Sequence, residues 1–213
     1  MYDMRIHKQI LIFFLFLLSG FLIGQTEMKS TSISLSKIPT EIKYDGKVVN
    51  AVEWIDKNGK NIVVVTETGI IESKSGDDNK SASLYAAHYI FSKNKYALNW
   101  KINDFVKDCP IDIEANFIPN TFQITDLNKD SVAEVWLMYK TACHGDVSPC
   151  AMKIIMHQGK IKFAFRGRNK VKISETETEG GEYTEDKAFL EGPKQFRDFA
   201  KKLWEQNILQ KWE

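Results

Sequence analysis

The feature that most constrains this fold is a series of short strand-like runs, joined in pairs by brief polar turns. The first pair, Val48 to Ile55 and Ile62 to Thr68, flanks an Asn58-Gly59 turn, which is a strong hairpin signal. Three further pairs of runs follow, at residues 84–91 with 96–105, 121–125 with 132–141, and 152–157 with 161–166. Eight such runs predict a mainly β protein built from antiparallel strands.

The turns also suggest an internal repeat. Asp56 and Asp126 stand at equivalent turns 70 residues apart, and each is followed by an apolar run and then by a second hairpin. The pattern predicts two four-stranded meanders. A propeller typically needs at least four blades, so two antiparallel sheets, packed or side by side, are the more economical arrangement.

The ends of the chain differ in character from the strand region. Residues 26–37 are polar and rich in Ser and Thr, and we expect a flexible leader there. A single β-rich domain is predicted over 38–213, beginning near Ile38 and broken by an acidic loop at 174–187. Pro193 opens a predicted amphipathic helix over 193–212, whose apolar positions recur at helical spacing; they are Phe196, Phe199, Ala200, Leu203, Trp204 and Leu209. The fold class is therefore α+β with a strong excess of β.

The first 25 residues have the layout of a secretory signal peptide. Arg5 and Lys8 precede 15 uncharged, mostly apolar residues from Ile10 to Gly24, and polar residues follow. Cleavage is expected after Gly24 or Gln25. The alternative is an uncleaved anchor, which would be the chain's contact with a membrane, although about 20 apolar residues are usual for a spanning helix. We expect a periplasmic, cell-surface or extracellular protein.

Charge argues against nucleic acid as a partner. The chain has 29 basic and 28 acidic side chains. The signal segment holds Arg5, Lys8 and Asp3, so its removal leaves 27 of each sign. Binding to nucleic acid would require a basic surplus or patch.

A possible cation site lies in the second repeat. Oxygen-bearing side chains occupy positions 1, 3, 5 and 9 of the loop that starts at Asp126, namely those of Asp126, Asn128, Asp130 and Glu134, and Val132 could add its backbone carbonyl. Calcium prefers six to eight such oxygens. The alternative is an Asx-rich turn in which these side chains accept backbone hydrogen bonds without a metal.

The three cysteines allow one disulfide. Export makes a disulfide permissible, and the candidates are Cys109 with Cys143 or Cys143 with the nearby Cys150. The first pairing closes the longer loop and is favoured on that ground. Both remain open at this point.

The loop after the longest run in the second repeat is a weaker functional candidate. His144 and Asp146 lie in it and could bind a metal or perform acid–base chemistry. A turn closed by Gly145 and Pro149 is the simpler interpretation. The sequence assigns no catalytic residue, because no P-loop, nucleophile-elbow or zinc-protease motif is present.

Three segments resemble a known family. Residues 37–72, 100–112 and 120–149 are similar to secreted flavobacterial proteins grouped as a surface polysaccharide biosynthesis family. The Asp126 loop also resembles FG-GAP-type calcium loops, except that Ser131 stands where Gly is usual. The first resemblance implies a role in making lipopolysaccharide or capsule, assigns no catalytic residues, and favours pairing of Cys109 with Cys143.

Three functions follow as hypotheses. The first is a non-enzymatic exported accessory protein that supports surface polysaccharide production by binding a glycan or an envelope protein. The second is a secreted carbohydrate-active enzyme that uses carboxylates near Asp126 and Asp146, which would require those groups to share one cleft. The third is a calcium-stabilised structural module.

Overall fold

The computed structural model describes residues 28–74 and 78–210. The predicted signal segment therefore lies outside the described residues, as do residues 75–77 and 211–213. The described residues form two antiparallel β-sheets that pack face to face, and two helices cover the outer side of the second sheet. This confirms the predicted mainly β class.

The first sheet has six strands. Its strands are β1 (Ser30–Ser32), β2 (Lys47–Asp56), β3 (Gly59–Glu67), β4 (Ile71–Glu72), β5 (Lys80–Ser92) and β6 (Lys95–Cys109). Strands β1, β2, β3 and β5 are neighbours in that order, while β4 and β6 also pair with β5. Strands β2, β3, β5 and β6 form the first predicted meander.

The second sheet contains the second meander. The next strands along the chain are β7 (Ile113–Phe117), β8 (Gln123–Thr125), β9 (Glu134–Cys143), β10 (Ala151–Gln158), β11 (Ile161–Arg168), β12 (Lys170–Lys172), β13 (Thr178–Gly180) and β14 (Tyr183–Glu185). Strands β8 to β11 pair in succession, β7 joins β9, and β14 joins β11. Strands β12 and β13 form a separate hairpin. All eight predicted runs fall within the two meanders, give or take a few residues at their ends.

Residues 70 positions apart occupy matching places in the core between the sheets. The first hairpin of each meander supplies them, and the pairs are Val52 with Phe122, Trp54 with Ile124, Val63 with Ala133, and Val65 with Val135. The two turns that suggested the repeat also touch, because the Lys57 N–H donates to the Ser131 carbonyl at 2.8 Å. This matched packing supports the predicted internal repeat.

Burial along β9 reflects its central place. Glu134 to Tyr139 are buried at six consecutive positions, without the alternation of a strand that has one wet face. One face packs on the first sheet. The other is covered by helices α1 (Lys187–Glu191) and α2 (Lys194–Asn207) through a cluster rich in Phe and Trp.

Three boundaries differ from the sequence expectation. Structure begins before Ile38, because Ser30–Ser32 pairs with β2 as an edge strand. The predicted loop at 174–187 contains β13 and β14. Helix α2 ends at Asn207, not at Trp212, because the backbones of Ile208 and Gln210 bond to Lys170 instead of continuing the helix, and Leu209 is exposed. The other five predicted apolar positions of the helix are buried.

The predicted pairing of Cys109 with Cys143 is confirmed. It links the end of β6 in one sheet to the end of β9 in the other, across 34 residues of sequence. Cys150 is a buried free thiol, so the local alternative is wrong.

Loss of this disulfide should destabilise the protein. Closing a loop of this length restricts the unfolded chain, and we expect Cys109→Ala/Cys143→Ala to lose about 3 kcal/mol in urea unfolding. Cys150→Ala keeps the disulfide and is the control, and its melting should remain sensitive to reductant. Equal stability of the double variant and the wild type would contradict a structural role for the bridge.

Four aromatic rings connect the sheets beside the Asp56 turn. His88 stacks on Trp54 and meets Trp100 at a tilt, and His157 of the second sheet stacks on Trp100 with 4.3 Å between ring centroids. His88 bonds to Asn61 and Asn99, whereas neither ring nitrogen of His157 has a hydrogen-bond partner among the described residues. Burial lowers the pKa of both histidines to about 4.

Acid should therefore destabilise the fold. The two imidazoles bind a proton near pH 6.5 in the unfolded chain but only near pH 4 in the folded protein. The free energy of unfolding is therefore highest above pH 6.5 and falls as the pH is lowered towards 4. The decrease should reach about 2–3 kcal/mol per imidazole. Urea unfolding between pH 4 and 8 measures it.

His157→Phe isolates one of the two contributions. Phe can keep the stack on Trp100 without a titrating ring, so the variant should show roughly half of the histidine-linked pH dependence and no loss of stability at pH 7.5. An unchanged pH dependence would show that His157 titrates normally in the folded protein.

Candidate functional site

The Asp126 loop is closed by its own backbone. The two carboxylate oxygens of Asp126 accept the N–H groups of Asp130 and Ser131 at 3.0 and 3.1 Å, and Asp130 accepts that of Val132 at 2.8 Å. The side chains of Asn128 and Gln158 donate to the second oxygen of Asp130. These are the contacts of an Asx-rich turn.

Glu134, the last predicted ligand, turns away from solvent. Its Oε2 accepts the Thr125 hydroxyl at 2.6 Å and the Leu127 N–H at 2.9 Å. Its Oε1 is buried and has no hydrogen-bond partner among the described residues. Burial raises the pKa of this carboxyl above its usual value, against the opposing effect of the two hydrogen bonds.

The fit of this loop to a cation is partial. Its oxygens are close together in sequence, but those of Asp126 and Asp130 already accept hydrogen bonds from the backbone and from side-chain amides, and Glu134 faces the interior. Within residues 28–74 and 78–210, no group of three or more His, Cys, Asp or Glu side chains is arranged to hold a metal ion. Calcium binding by the predicted set stays a prediction.

The His144 loop lies at the opposite end of β9. His144 Nδ1 lies 2.9 Å from the Asp146 carbonyl, and the Ser148 N–H on the Asp146 carboxylate lowers the pKa of that acid. Ten residues of extended strand, roughly 30 Å, separate this loop from the start of β9 beside the Asp126 loop. The structure therefore does not bring Asp126 and Asp146 together into one site.

Cys150 joins His144 in a contact that the sequence did not reveal. The Cys150 thiol donates to Glu114 Oε2 at 3.2 Å, and its sulfur lies 3.5 Å from His144 Nε2. Burial, and next the hydrogen bond to Glu114, raise the pKa of the thiol to about 12. The sulfur stays protonated at neutral pH, which is unsuitable for a nucleophilic thiolate.

A cleft of about 690 Å³ opens on the other side of Glu114, and we call it the amide cleft. Five of its twelve lining residues carry side-chain amides. The lining consists of Glu67, Glu114, Asn116, Phe117, Ile118, Pro119, Asn120, Lys140, Asn169, Asn207, Leu209 and Gln210. Its size falls within the range of small-molecule sites.

Three parts of the fold build the amide cleft. Strand β7 and the turn after it supply one wall, Lys140 of β9 lies beside Glu114, and the tail that follows α2 supplies the opposite wall. Lys170 holds the tail by two backbone hydrogen bonds of 2.7 Å, to the Ile208 carbonyl and from the Gln210 N–H. Neither wall is continuous in sequence with the other.

A chain of polar contacts crosses the cleft. Lys140 Nζ donates to Glu114 Oε1 at 2.6 Å and to Gln210 Oε1 at 2.8 Å, and the Asn169 amide also donates to Gln210. Asn169 Oδ1 in turn accepts the Cys150 N–H. These contacts hold the deep end of the cleft in one arrangement.

The outer end of the cleft presents unengaged polar groups. Asn116 and Asn120 are exposed, and their amides make no side-chain hydrogen bond among the described residues. Ile118 lies half-buried between them, whereas Phe117 points to the opposite face of β7, where its ring packs between the sheets and meets Tyr139 edge to face. Amides beside an apolar floor can bind the hydroxyls and the C–H faces of a sugar ring together.

Sequence reasoning did not find the amide cleft. Its residues come from separate segments around positions 67, 114–120, 140, 169 and 207–210, and none forms a motif. The one local signal is Asn116, an exposed amide on a short strand. A smaller cleft of about 350 Å³, lined partly by Ser30, Ser32 and Asn50, shares Asn120 with it.

No helix within the described part of the chain is both long and apolar enough to cross a bilayer.

Comparison of the chain with known proteins identifies no relative. The chain matches no protein-family model, no curated protein and no solved structure.

Proposed function

We propose that this is an exported, non-enzymatic accessory protein of the cell envelope or the secreted fraction, which binds glycan in the amide cleft and supports surface polysaccharide production. The observation that carries the proposal is the cleft itself. Unengaged amides of Asn116 and Asn120 flank an apolar floor, next to a polar network that is already satisfied. Such a surface binds polyhydroxylated ligands without needing a reactive group.

Two further features support the proposal. The Cys109–Cys143 disulfide is of a kind that persists in oxidising compartments, which agrees with export. The ionisable groups next to the cleft have structural roles, since Lys140 and Glu114 form an ion pair and the Cys150 thiol is protonated at neutral pH. An envelope protein that docks on the same wall is the alternative partner.

Binding of glycan should depend on the outer amides. We expect purified protein to bind surface polysaccharide fragments in titration calorimetry. Asn116→Ala/Asn120→Ala should weaken binding roughly five- to hundred-fold, since two lost hydrogen bonds amount to about 1–3 kcal/mol. Asn103→Ala is the matched control, because Asn103 is also an exposed strand amide but lies on β6, outside the cleft. If Asn116→Ala/Asn120→Ala and Asn103→Ala bound the glycan with equal affinity, the amide cleft would not be the binding site.

The same variants test the cellular role. A strain lacking the protein should show an altered surface-polysaccharide profile, restored by the wild type and by Asn103→Ala but not by the double variant. An unchanged profile in the deletion strain would overturn the accessory role, whatever the binding data.

A second candidate function is a calcium-stabilised module, favoured by the orphaned Oε1 of Glu134. A buried carboxylate oxygen without a partner is unusual in a folded protein, and a cation in the Asp126 loop would be one way to satisfy it. Asp126, Asn128, Asp130, the Val132 carbonyl and Glu134 would supply the ligands after rearrangement of the turn.

Thermal melting tests the calcium proposal. At a hundred-fold excess over its dissociation constant, an ion that binds only the folded state adds about 2.7 kcal/mol, so calcium should raise Tm by about 5 °C or more over chelator. Asp126→Asn/Asp130→Asn should abolish the shift, while Asp108→Asn, at an exposed position of β6, should retain it. A wild-type Tm that is the same with calcium and with chelator would remove this function.

A further inference from the structure

The charges of the amide cleft are unbalanced. Two carboxylates, Glu67 and Glu114, and a single cation, Lys140, line it. The Lys140 ammonium is already shared between Glu114 Oε1 and Gln210 Oε1, so its charge is offset within the wall. Glu67 makes no ion pair among the described residues, and the one hydrogen bond of its side chain there is Oε1 accepting the Phe117 N–H at 2.7 Å.

Two further lysines lie near these groups without lining the cleft. Lys47 is opposite Glu67 in the pairing of β2 with β3, but no ion pair joins the two side chains. Lys170, which holds the tail wall, does not line the cleft, and it carries its side chain over Gly181 instead. The residues that line the cleft therefore carry one more negative than positive charge, and Glu67 lies beside the unengaged amides. A charge at the mouth of a concave site acts on ligands over several ångströms, and it acts most strongly at low salt.

We infer that the amide cleft selects glycans whose bound sugars are uncharged or carry a free amine, and that it rejects uronic acids and phosphorylated sugars. This inference rests on the proposed glycan-binding function and specifies its ligand class. Asn116 and Asn120 bind the sugar hydroxyls, whereas Glu67 repels an anionic substituent. Discrimination of this kind comes from a repulsive element as much as from an attractive one.

The roles of the two carboxylates differ. Glu67 is the specificity-determining residue because its charge is not paired. Glu114 is a positioning residue, since it holds Lys140 and accepts the Cys150 thiol. Glu67→Gln removes the charge and keeps an oxygen that can still accept the Phe117 N–H. The variant therefore changes the electrostatics of the cleft while preserving its shape.

The test uses the full secreted protein and matched oligosaccharides. Neutral galactan oligomers are compared with oligogalacturonate, and acetylated chitin oligomers with chitosan oligomers, by calorimetry at 20 and 300 mM NaCl. We expect the neutral and amine-bearing members to bind at least ten-fold more tightly than the uronate. In Glu67→Gln the discrimination against the uronate should shrink roughly five- to ten-fold, and high salt should narrow the gap in the wild type.

Controls separate the two levels of the proposal. Glu72→Gln removes an exposed carboxylate outside the cleft and should leave the discrimination unchanged. Uronate bound as tightly as galactan, with both lost in Asn116→Ala/Asn120→Ala, would overturn the charge inference and leave glycan binding intact. Binding of none of the four oligosaccharides would overturn both.

Discussion

The packing of the two sheets against each other is the contact on which the rest of this structure depends. At one end, Asp56 Oδ2 accepts the Trp54 indole N–H and the Ala133 N–H, so one carboxylate joins the first hairpin of one meander to that of the other. At the other end, the Cys109–Cys143 disulfide joins the last strand of the first meander to β9. The Trp and His rings that link the sheets lie beside the first of these ties, since Trp54 belongs to both.

The same packing assembles the amide cleft. Glu67 belongs to the first sheet, and its carboxylate accepts the Phe117 N–H on the edge strand of the second. The wall of the cleft that contains these two residues therefore depends on the packing of the two sheets. A second cross-sheet contact lies nearby, where the Tyr139 hydroxyl donates to Asp104 of β6 at 2.9 Å. A disturbance of the sheet interface would therefore change the cleft as well as the stability of the fold.

The helices contribute in a different way. Helix α2 covers the outer face of the second sheet with five buried apolar residues, and the tail after it becomes the far wall of the cleft. The tail leaves the helical path because Lys170 offers it a backbone N–H and a carbonyl. The backbone hydrogen bonds to Lys170 of β12 thus end the helix, although apolar residues recur at helical spacing as far as Leu209.

The sequence by itself determined the strands and their pairing into two meanders, because alternation and turn residues act over a few positions. It also determined the apolar face of α2, and it favoured the pairing of Cys109 with Cys143 without excluding that of Cys143 with Cys150. Only the tertiary structure decided that Ser30–Ser32 forms a strand, that Asp126 and Asp146 lie at opposite ends of β9, and that Glu134 is buried. The amide cleft also belongs to this second group, since its walls come from segments distant in sequence. Such features depend on long-range contacts, which local propensity does not encode.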